Sequence, residues 1–353
     1  MSAVKDTKIS EVIQGPTIGM LVGWSLSPLF LEACQHVASS YGARFFYFYP
    51  KQVDFEKKQI IGSYWRDGKW LKAIFPFPDV IYDRMRRKNS DNAEFYEALS
   101  PIPITHQLRF GVLNKIKVYQ MIETVPDLCS ALIPFQLLQD LDKTKAFIDL
   151  HPSFILKPLR GSNGENIITV KRVGEHYEVF DQHLLHLMSR VELDQLLAIL
   201  QPKDYFVQQL VESTTKEGYP FHIRVHVMKD GVGQWKIVFI LPSLSLTPYR
   251  KITNHEKTFR TITKWEWFLN KQFGDKPGQI VDRKMKEFAF KMSNFLESKL
   301  GAGFHEIGLD LGIDQHGAIQ LFEANLNNVG MNFHEFEAAK HGIAYALSLS
   351  SCN

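Results

Sequence analysis

The amino-acid sequence predicts an α+β fold, because strand-like and helix-like segments occur in blocks and not as a run of parallel βαβ units. Three observations lead to this prediction. A β-α-β pattern lies near the start, a hairpin with a glycine-containing tip lies near the middle, and a long helix followed by a second hairpin lies near the end. The 353 residues suffice for two or three domains of roughly 150 residues each.

Residues 1–112 are expected to form an α/β N-terminal domain. Strand, helix and strand patterns follow one another over residues 17–50, where apolar runs flank one amphipathic stretch. The Asp67-Gly68 pair then lies between two β-forming runs, an arrangement typical of a hairpin turn. The segment PDVIYDRM predicts one more short strand.

Residues 113–205 are expected to form a central lobe, and residues 206–353 a C-terminal lobe. The predicted central elements are, in order, a helix from Lys115 to Glu123, a helical stretch ending near Leu150, a hairpin of SFILKP and IITVKRV, and a leucine-rich helix over residues 183–200. The predicted C-terminal elements are the strands FVQQLV, FHIRVHVM and WKIVFIL, an irregular stretch to about Pro277, a long helix to Leu300, and a final hairpin around residues 314–317.

The final hairpin places acidic groups on one face. Residues 313 and 318 are expected to pair across its turn. In that register Glu323 is a diagonal neighbour of Asp310, and side-chain alternation adds Asn325 to the same face. Such oxygen ligands suit magnesium held jointly with phosphates, although a solvated strand face explains the hairpin alone equally well. Two carboxylates this close repel, so we expect removal of either charge to relax the protein when no cation is bound.

A second candidate site surrounds Lys157, which lies in an apolar strand immediately before a loop containing two glycines. The lysine head neutralises phosphate oxygens, and the glycines allow backbone N–H groups to approach a phosphate closely. The loop is not a Walker A motif, because it lacks the Gly-Lys-Ser/Thr ending and joins two strands. An ordinary hairpin turn is the alternative interpretation.

Two strands of the last third add further candidates. The strand FVQQLV presents backbone groups that suit the edge of an adenine ring, and an ordinary buried strand is its alternative. In FHIRVHVM, Arg224 shares a face with His222 and His226, and an arginine beside a phosphate site stabilises developing negative charge. The two histidines have no third ligand nearby in the sequence, so we assign them no metal.

Composition narrows the class of protein. The formal net charge is +3 and the basic residues are scattered, which indicates no nucleic-acid partner. The one basic cluster, formed by Arg84, Arg86, Arg87 and Lys88, is interpreted as a solvated edge. Three widely separated cysteines without metal-ligand spacing indicate a reducing compartment. No apolar segment has the length of a signal peptide or a membrane span, so we expect a cytoplasmic protein with no membrane partner.

The order of these candidates resembles the ATP-grasp superfamily. The order comprises Lys115, Lys157, the glycine-containing hairpin, Gln208 to Val211, Arg224, Asp310 and the run Glu323-Ala324-Asn325. Within that superfamily, the YheC/YheD family, described as endospore coat-associated, is similar in the segments TIGMLVG, FPDVIYDRM, LNKIKVYQM and FILKPLRGSNGENI. The resemblance covers nearly the whole chain and is weakest between residues 240 and 280.

The resemblance implies two α/β lobes that clamp ATP behind the N-terminal domain, with ATP and Mg²⁺ as cofactors. It implies an ATP-binding set made of Lys115, Lys157, Gly161, Ser162, Asn163, Gly164, Gln208, Gln209, Leu210 and Val211. It assigns Arg224 to the transferred phosphoryl group as the catalytic residue, and it assigns Asp310, Glu323 and Asn325 to the metal. Enzymes of the superfamily phosphorylate a carboxylate and let an amine attack the acyl phosphate, which requires charge neutralisation more than a side-chain nucleophile.

Two functions remain open at this point. The first is an ATP-dependent carboxylate-amine ligase for a peptide-like or coat-related product, and the intact set of Asp310, Glu323 and Asn325 favours it. The second is a non-catalytic assembly component of the spore coat, located in the mother cell or the coat, with coat proteins as partners. The region between residues 240 and 280 lacks the usual Gly-Gly loop, which favours the second. A protein kinase is not supported, because no His-Arg-Asp or Asp-Phe-Gly pattern is present.

Overall fold

The part of the chain that the structure describes forms three β-sheets with helices packed against them, which confirms the α+β prediction. The first sheet comes from residues 17–84, the second from residues 135–209 and the third from residues 221–326. The computed structural model describes residues 15–23, 26–85, 92–108, 115–159, 166–181, 183–246, 260–314, 316–331 and 333–351.

The first sheet has the strand order β3-β4-β2-β1-β6, with β5 paired to β4. Its elements are β1 (Thr17–Val22), α1 (Pro28–Ser40), β2 (Arg44–Phe48), β3 (Val53–Asp54), β4 (Gln59–Arg66), β5 (Lys69–Pro76) and β6 (Val80–Arg84), followed by helix α2 (Ala93–Ala98). The central strand β1 is parallel to β2 and β6. The predicted hairpin is confirmed, because Arg66 pairs with Lys69 around Asp67 and Gly68, whose φ angles are 50° and 73°.

The second sheet has the strand order β11-β10-β9-β8-β12-β7. Its elements follow helices α3 (Lys115–Glu123) and α4 (Pro126–Cys129), and they are β7 (Phe135–Leu137), α5 (Leu141–Leu150), β8 (Ser153–Pro158), β9 (Ile168–Val173), β10 (His176–Phe180), β11 (Leu185–Met188), α6 (Arg190–Leu200) and β12 (Tyr205–Gln209). The predicted helix over residues 183–200 is wrong in its first part, which forms β11. Helix α6 begins at Arg190 because Ser189 and Glu192 form a capping box, in which the Glu192 carboxylate accepts the Ser189 N–H at 2.7 Å.

The third sheet has the strand order β15-β14-β13-β16-β17. Its elements are β13 (Phe221–Lys229), β14 (Trp235–Ser245), β15 (Arg260–Ile262), α7 (Trp265–Phe273), α8 (Asp275–Leu300), β16 (Glu306–Ile313) and β17 (Ile319–Leu326), followed by α9 (Glu335–Ser350). The prediction of an irregular stretch to about Pro277 is wrong from Arg260 onward, where β15, α7 and the start of α8 form, and residues 247–259 lie outside the described residues. Helix α7 forms there because Trp265, Phe268 and Leu269 recur at helical spacing and are buried against the sheet.

Packing between the sheets crosses the predicted domain boundaries. Helix α3 contributes Ile116 and Ile122 to the core of the third sheet, although it precedes the second sheet in the chain. Helix α9 packs on α1 and β6, so the last helix shares a core with the first sheet. The division at residues 112 and 205 therefore stays a prediction, and strand β12 extends the second sheet to Gln209.

The basic cluster near residue 84 does not form a solvated edge at Arg84, and that interpretation is wrong for this residue. The Arg84 side chain is 3% exposed and lies 2.5 Å from the Glu306 carboxylate. The ion pair joins β6 of the first sheet to β16 of the third sheet. The local sequence around Arg84 does not reveal that Glu306 is its partner. The other three members of the cluster, Arg86, Arg87 and Lys88, lie outside the described residues.

The length and composition of the helices bear on whether the chain could cross a membrane. Among the helices that the structure describes, none combines the length and the apolar composition needed to cross a membrane. The longest of these, α8, carries charged residues throughout its exposed face.

Candidate nucleotide site

The second sheet contributes Lys157 from β8 and Gln208 from β12. Residues Phe154, Leu156 and Val207 of these strands pack into the core under α5 and α6. Side-chain alternation therefore turns Lys157 and Gln208 to the opposite face, where the lysine donates to the side-chain oxygen Oε1 of Gln208 at 2.8 Å. The two residues form the side of the site that belongs to the second sheet.

The environment of Lys157 disfavours its positive charge. Burial and, next, the charge of Lys115 lower the pKa of Lys157 from 10.5 to about 8, although Glu323 and Asp310 act in the opposite direction. The Lys115 ammonium in turn lies 3.2 Å from a Glu323 carboxylate oxygen. Two lysines held this close in a partly buried position indicate a site for an anion, because a bound anion removes their repulsion.

The final hairpin has a different register from the predicted one. Ile313 pairs with Ile319, so the predicted pairing of residues 313 and 318 is wrong. A β-bulge then shifts the register between Asp310 and Leu311, and Asp310 lies directly opposite Glu323. The bulge leaves Phe322 without a partner across the hairpin, and this one-residue insertion turns both carboxylates to the same face.

The two carboxylates lie together with Asn325, as the hairpin pattern predicts. The Asn325 amide nitrogen donates to Asp310 Oδ2 at 3.2 Å. Direct cross-strand pairing also brings Glu323 closer to Asp310 than the predicted diagonal arrangement does. These three residues form an oxygen-rich cluster at the centre of the site.

Each carboxylate has its own cationic partner. Arg224 of β13 makes a bidentate contact with Asp310, at 2.6 Å from Nε and 2.9 Å from Nη2. Burial opposes the charge of Arg224, but the Asp310 carboxylate outweighs that effect and raises the pKa of the guanidinium. Glu323 is paired with Lys115. These ion pairs argue against the expectation that loss of either carboxylate relaxes the protein, because each carboxylate neutralises a neighbouring cation.

Two residues near this cluster have no counterpart in the prediction. Tyr119 of α3 donates its hydroxyl to the carbonyl oxygen of Phe322 at 2.5 Å and so holds the bulge. Burial and the nearby Glu323 charge raise the pKa of Tyr119, so it stays a donor at neutral pH. Arg260 begins β15, and burial together with Arg224 lowers its pKa. Their sequence signals are weak, since Tyr119 lies in an ordinary amphipathic helix and Arg260 in a strand of three residues.

Two backbone N–H groups of the predicted adenine hinge already donate hydrogen bonds within the protein. The N–H of Gln209 donates to Pro134 O at 2.9 Å, and the N–H of Leu210 donates to Ser153 O at 2.9 Å. Gln208 is 1% exposed. Among the described residues, none accepts a hydrogen bond from its side-chain nitrogen in good geometry. The Gln208 side chain is nevertheless close enough to the Tyr119 hydroxyl to offset part of the rise in the pKa of Tyr119. The assignment of Gln208 to Val211 as the hinge stays a prediction.

The glycine-containing loop is a separate case. The predicted phosphate-covering residues are Gly161, Ser162, Asn163 and Gly164, and all four lie outside the described residues. The strands on either side are in place, because β8 and β9 pair antiparallel from Ser153 to Leu156. The hairpin itself is therefore confirmed, and the role of its tip stays a prediction.

The side chains around the cluster suit a nucleotide with its metal. Four cationic side chains surround two carboxylates, which leaves the site with net positive charge; the cations are Lys115, Lys157, Arg224 and Arg260. Within the described residues, no group of three or more His, Cys, Asp or Glu side chains could hold a metal ion. Two carboxylates and one amide are therefore too few for a cation held by protein alone, but they fit Mg²⁺ that takes its remaining ligands from phosphates and water.

Comparison with known proteins shows which family and which relatives this chain resembles. The model of the "YheC/D like ATP-grasp" family matches residues 105–349. The endospore coat-associated protein YheD of Bacillus subtilis is 25% identical over 333 residues, covering 88% of this chain and 72% of YheD.

Two solved structures share the fold. The D-alanyl-alanine synthetase A of Vibrio cholerae has a TM-score of 0.55 and 15% identity, over 94% of this chain and 98% of that enzyme. The ATP-grasp ligase PsnB, solved with a minimal precursor, has a TM-score of 0.55 and 11% identity, over 94% and 99% of the two chains. At these identities the two structures support the fold alone. The family match, which spans more than half of the sequence, goes further: this chain belongs to the YheC/D-like ATP-grasp family.

Proposed function

We propose that the protein is an Mg-ATP-dependent ligase that joins a carboxylate to an amine through an acyl phosphate. One observation carries the proposal: the Asp310 and Glu323 carboxylates lie directly opposite each other, with a pair of lysines on one side and a pair of arginines on the other. Charge of both signs is thus concentrated where the second and third sheets meet. Phosphoryl transfer needs this arrangement, because it depends on positioning and charge neutralisation.

The residues take roles according to their positions. Lys157 and Lys115 bind phosphate oxygens of the nucleotide, and binding offsets both the burial and the repulsion from Lys115 that lower the pKa of Lys157. Asp310, Glu323 and Asn325 would hold Mg²⁺, which when bound would neutralise phosphate charge. Arg224 keeps Asp310 in place, and we assign it to stabilise the charge that develops on the transferred group. Arg260, next to Arg224, suits the carboxylate of the incoming acid.

The reaction balances without a nucleophile from the protein. A substrate carboxylate oxygen attacks the terminal phosphorus, and the bond to the bridging oxygen breaks, so ADP leaves with that electron pair. The amine then attacks the acyl carbon and loses a proton, and phosphate leaves. Site residues would orient the substrates and exclude water from the acyl phosphate.

Two measurements test the proposal. Calorimetry of ATP and ADP, with and without Mg²⁺, should show binding that depends on the metal. Release of ADP should then be measured against a panel of carboxylic acids combined with amines, with each component omitted in turn as the control. Absence of nucleotide binding in the presence of Mg²⁺ would end the proposal.

The non-catalytic alternative is a component of the spore coat that binds nucleotide without turnover. What favours it is the name of the relative YheD, an endospore coat-associated protein, which mentions the coat and no reaction. Under this alternative the protein would act in the mother cell or in the coat, and coat proteins would be its partners. Nucleotide binding with no release of ADP for any acid and amine pair, together with co-purification with coat proteins, would favour it over the ligase.

A further inference from the structure

Arg84 ends strand β6 and reaches from the first sheet into the third. Its side chain is buried beside the Phe30 ring, with the guanidinium carbon 5.2 Å from the ring centroid. One nitrogen, Nη1, lies 2.5 Å from Glu306 Oε2, and the other, Nη2, donates to the carbonyl oxygen of Val329 at 3.1 Å. Arg84 therefore contacts both β16 and the segment that follows β17.

Glu306 is completely buried and accepts hydrogen bonds on both carboxylate oxygens. Besides Arg84, its donors are the backbone N–H groups of Asn328 at 2.7 Å and Val329 at 3.2 Å, and His226 Nε2 at 3.0 Å. Burial alone would raise the pKa of Glu306, but Arg84 and then His226 hold it well below its usual range. The carboxylate is thus a fixed negative charge that binds two successive backbone amides.

Residues 327–329 follow an unusual path to reach Glu306. Asn327 and Asn328 have positive φ angles of 60° and 61°, the left-handed conformation that asparagine tolerates better than most residues. The Asn328 side chain donates to the carbonyl oxygen of Arg84 at 2.6 Å. Val329 packs over Gly308, where an added Cβ would lie 2.9 Å from its Cγ1 atom. The segment is held from both sheets.

This segment begins two residues after Asn325. Asn325 pairs with Gly308 across the hairpin and donates to Asp310, so its position depends on how β17 ends. We propose that Arg84 and Glu306 are positioning residues, through which the first sheet fixes residues 327–329 and thereby holds Asn325 against Asp310. Neither residue belongs to the predicted nucleotide-binding or metal-binding set, and the part of the proposal that concerns nucleotide affinity rests on the proposed function.

Stability alone does not distinguish this role from a simple ion pair between sheets. Loss of one partner of a buried pair destabilises a protein whatever else the pair does, and replacement of both partners by apolar residues is often neutral. A matched control exists in Lys229, whose side chain is 3% exposed and donates to Glu297 at 2.7 Å and to the Ala302 carbonyl oxygen at 3.2 Å, both outside residues 327–329.

The experiment compares four proteins: the wild type, Arg84→Met/Glu306→Leu, Arg84→Lys and the control Lys229→Met. Hydrogen exchange of the Asn328 and Val329 amides is measured first, without ligand. We expect exchange in the double variant to be at least about tenfold faster than in the control after correction for global stability, because these amides lose their acceptor. Arg84→Lys, which keeps the charge beside Glu306, should lie between the double variant and the wild type.

Affinity for Mg-ADP is the second measurement. We expect the double variant to bind at least about tenfold more weakly than Lys229→Met, since a displaced Asn325 removes a metal ligand. Equal exchange and equal affinity in the double variant and the control would overturn the proposal. If the double variant does not fold, Arg84→Lys decides by the same two comparisons. If the wild type binds no nucleotide, the proposed function fails and the exchange measurement alone decides the positioning role.

Discussion

Lys157→Met tests whether this lysine contributes to ligand binding while it lowers the stability of the folded protein. The pKa of Lys157 falls from 10.5 to about 8, chiefly by burial. This difference makes the charged form less favourable in the folded protein by roughly 3 kcal/mol. Between these two pKa values the unfolded chain binds more protons at this position than the folded protein does. Wild-type stability should therefore rise with pH across that window, and the full cost should be present below the lower value.

The substitution removes this cost and one hydrogen bond. Loss of the bond from Lys157 to Gln208 leaves a buried acceptor and offsets about 1 to 2 kcal/mol of the gain. We therefore expect the free energy of unfolding at neutral pH to rise by about 1 to 2 kcal/mol. The gain should shrink as the pH rises through this window and vanish above the upper pKa of 10.5, where the amine becomes neutral in both states.

Urea denaturation at neutral and at alkaline pH measures both effects. Lys171→Met is the control, because Lys171 is exposed on β9 of the same sheet. Calorimetry of Mg-ADP completes the test, and we expect the Lys157 variant to bind at least about tenfold more weakly. A variant that is less stable than the wild type at neutral pH, with the same pH dependence, would refute the reasoning about burial. Unchanged affinity would refute the role in binding phosphate.

Three further predictions concern the final hairpin and its support. Glu323→Gln should lower the stability of the protein without ligand by less than about 1 kcal/mol, because Lys115 loses its partner, and thermal unfolding measures this effect. The same variant should lose metal-dependent release of ADP, which the turnover assay measures. Tyr119→Phe should cost about 1 kcal/mol in urea denaturation and weaken Mg-nucleotide binding, since the bulge at Phe322 loses its donor; unaltered affinity would contradict this. Gly308→Ala should destabilise the protein by about 1 to 3 kcal/mol in the same assay through its clash with Val329, whereas Gly68→Ala, at an open position, tests backbone strain alone.

Local patterns predicted the features that depend on neighbouring residues. The turn at Asp67 and Gly68 is an example, because two residues with positive φ angles determine the hairpin by themselves. The grouping of Asp310 with Glu323 is another, since alternation along two short strands needs only a turn between them. The exact register did not follow from the same information, because a bulge at Phe322 is stabilised by Tyr119, about two hundred residues earlier in the chain.

Features that depend on distant partners were missed. The basic run around Arg84 looks like a surface patch until Glu306, 222 residues away, is placed beside it. Arg260 joins the site only through the pairing of β15 with β14, and a strand of three residues gives no clear periodic signal. In both cases the neighbouring residue is set by the tertiary fold and not by the local sequence.

The packing of α9 has a consequence for synthesis of the chain. The apolar face that Ile18 and Phe30 present is covered in part by Ala338 and Ile343, which a ribosome adds some three hundred residues later. Until then the nascent first sheet exposes this face, and Arg84 has no ion pair with Glu306, which is synthesised later. Contacts of such long sequence separation form late and slowly. The first sheet should therefore depend on chaperones during translation, and a fragment that ends at residue 112 should aggregate where the full chain folds.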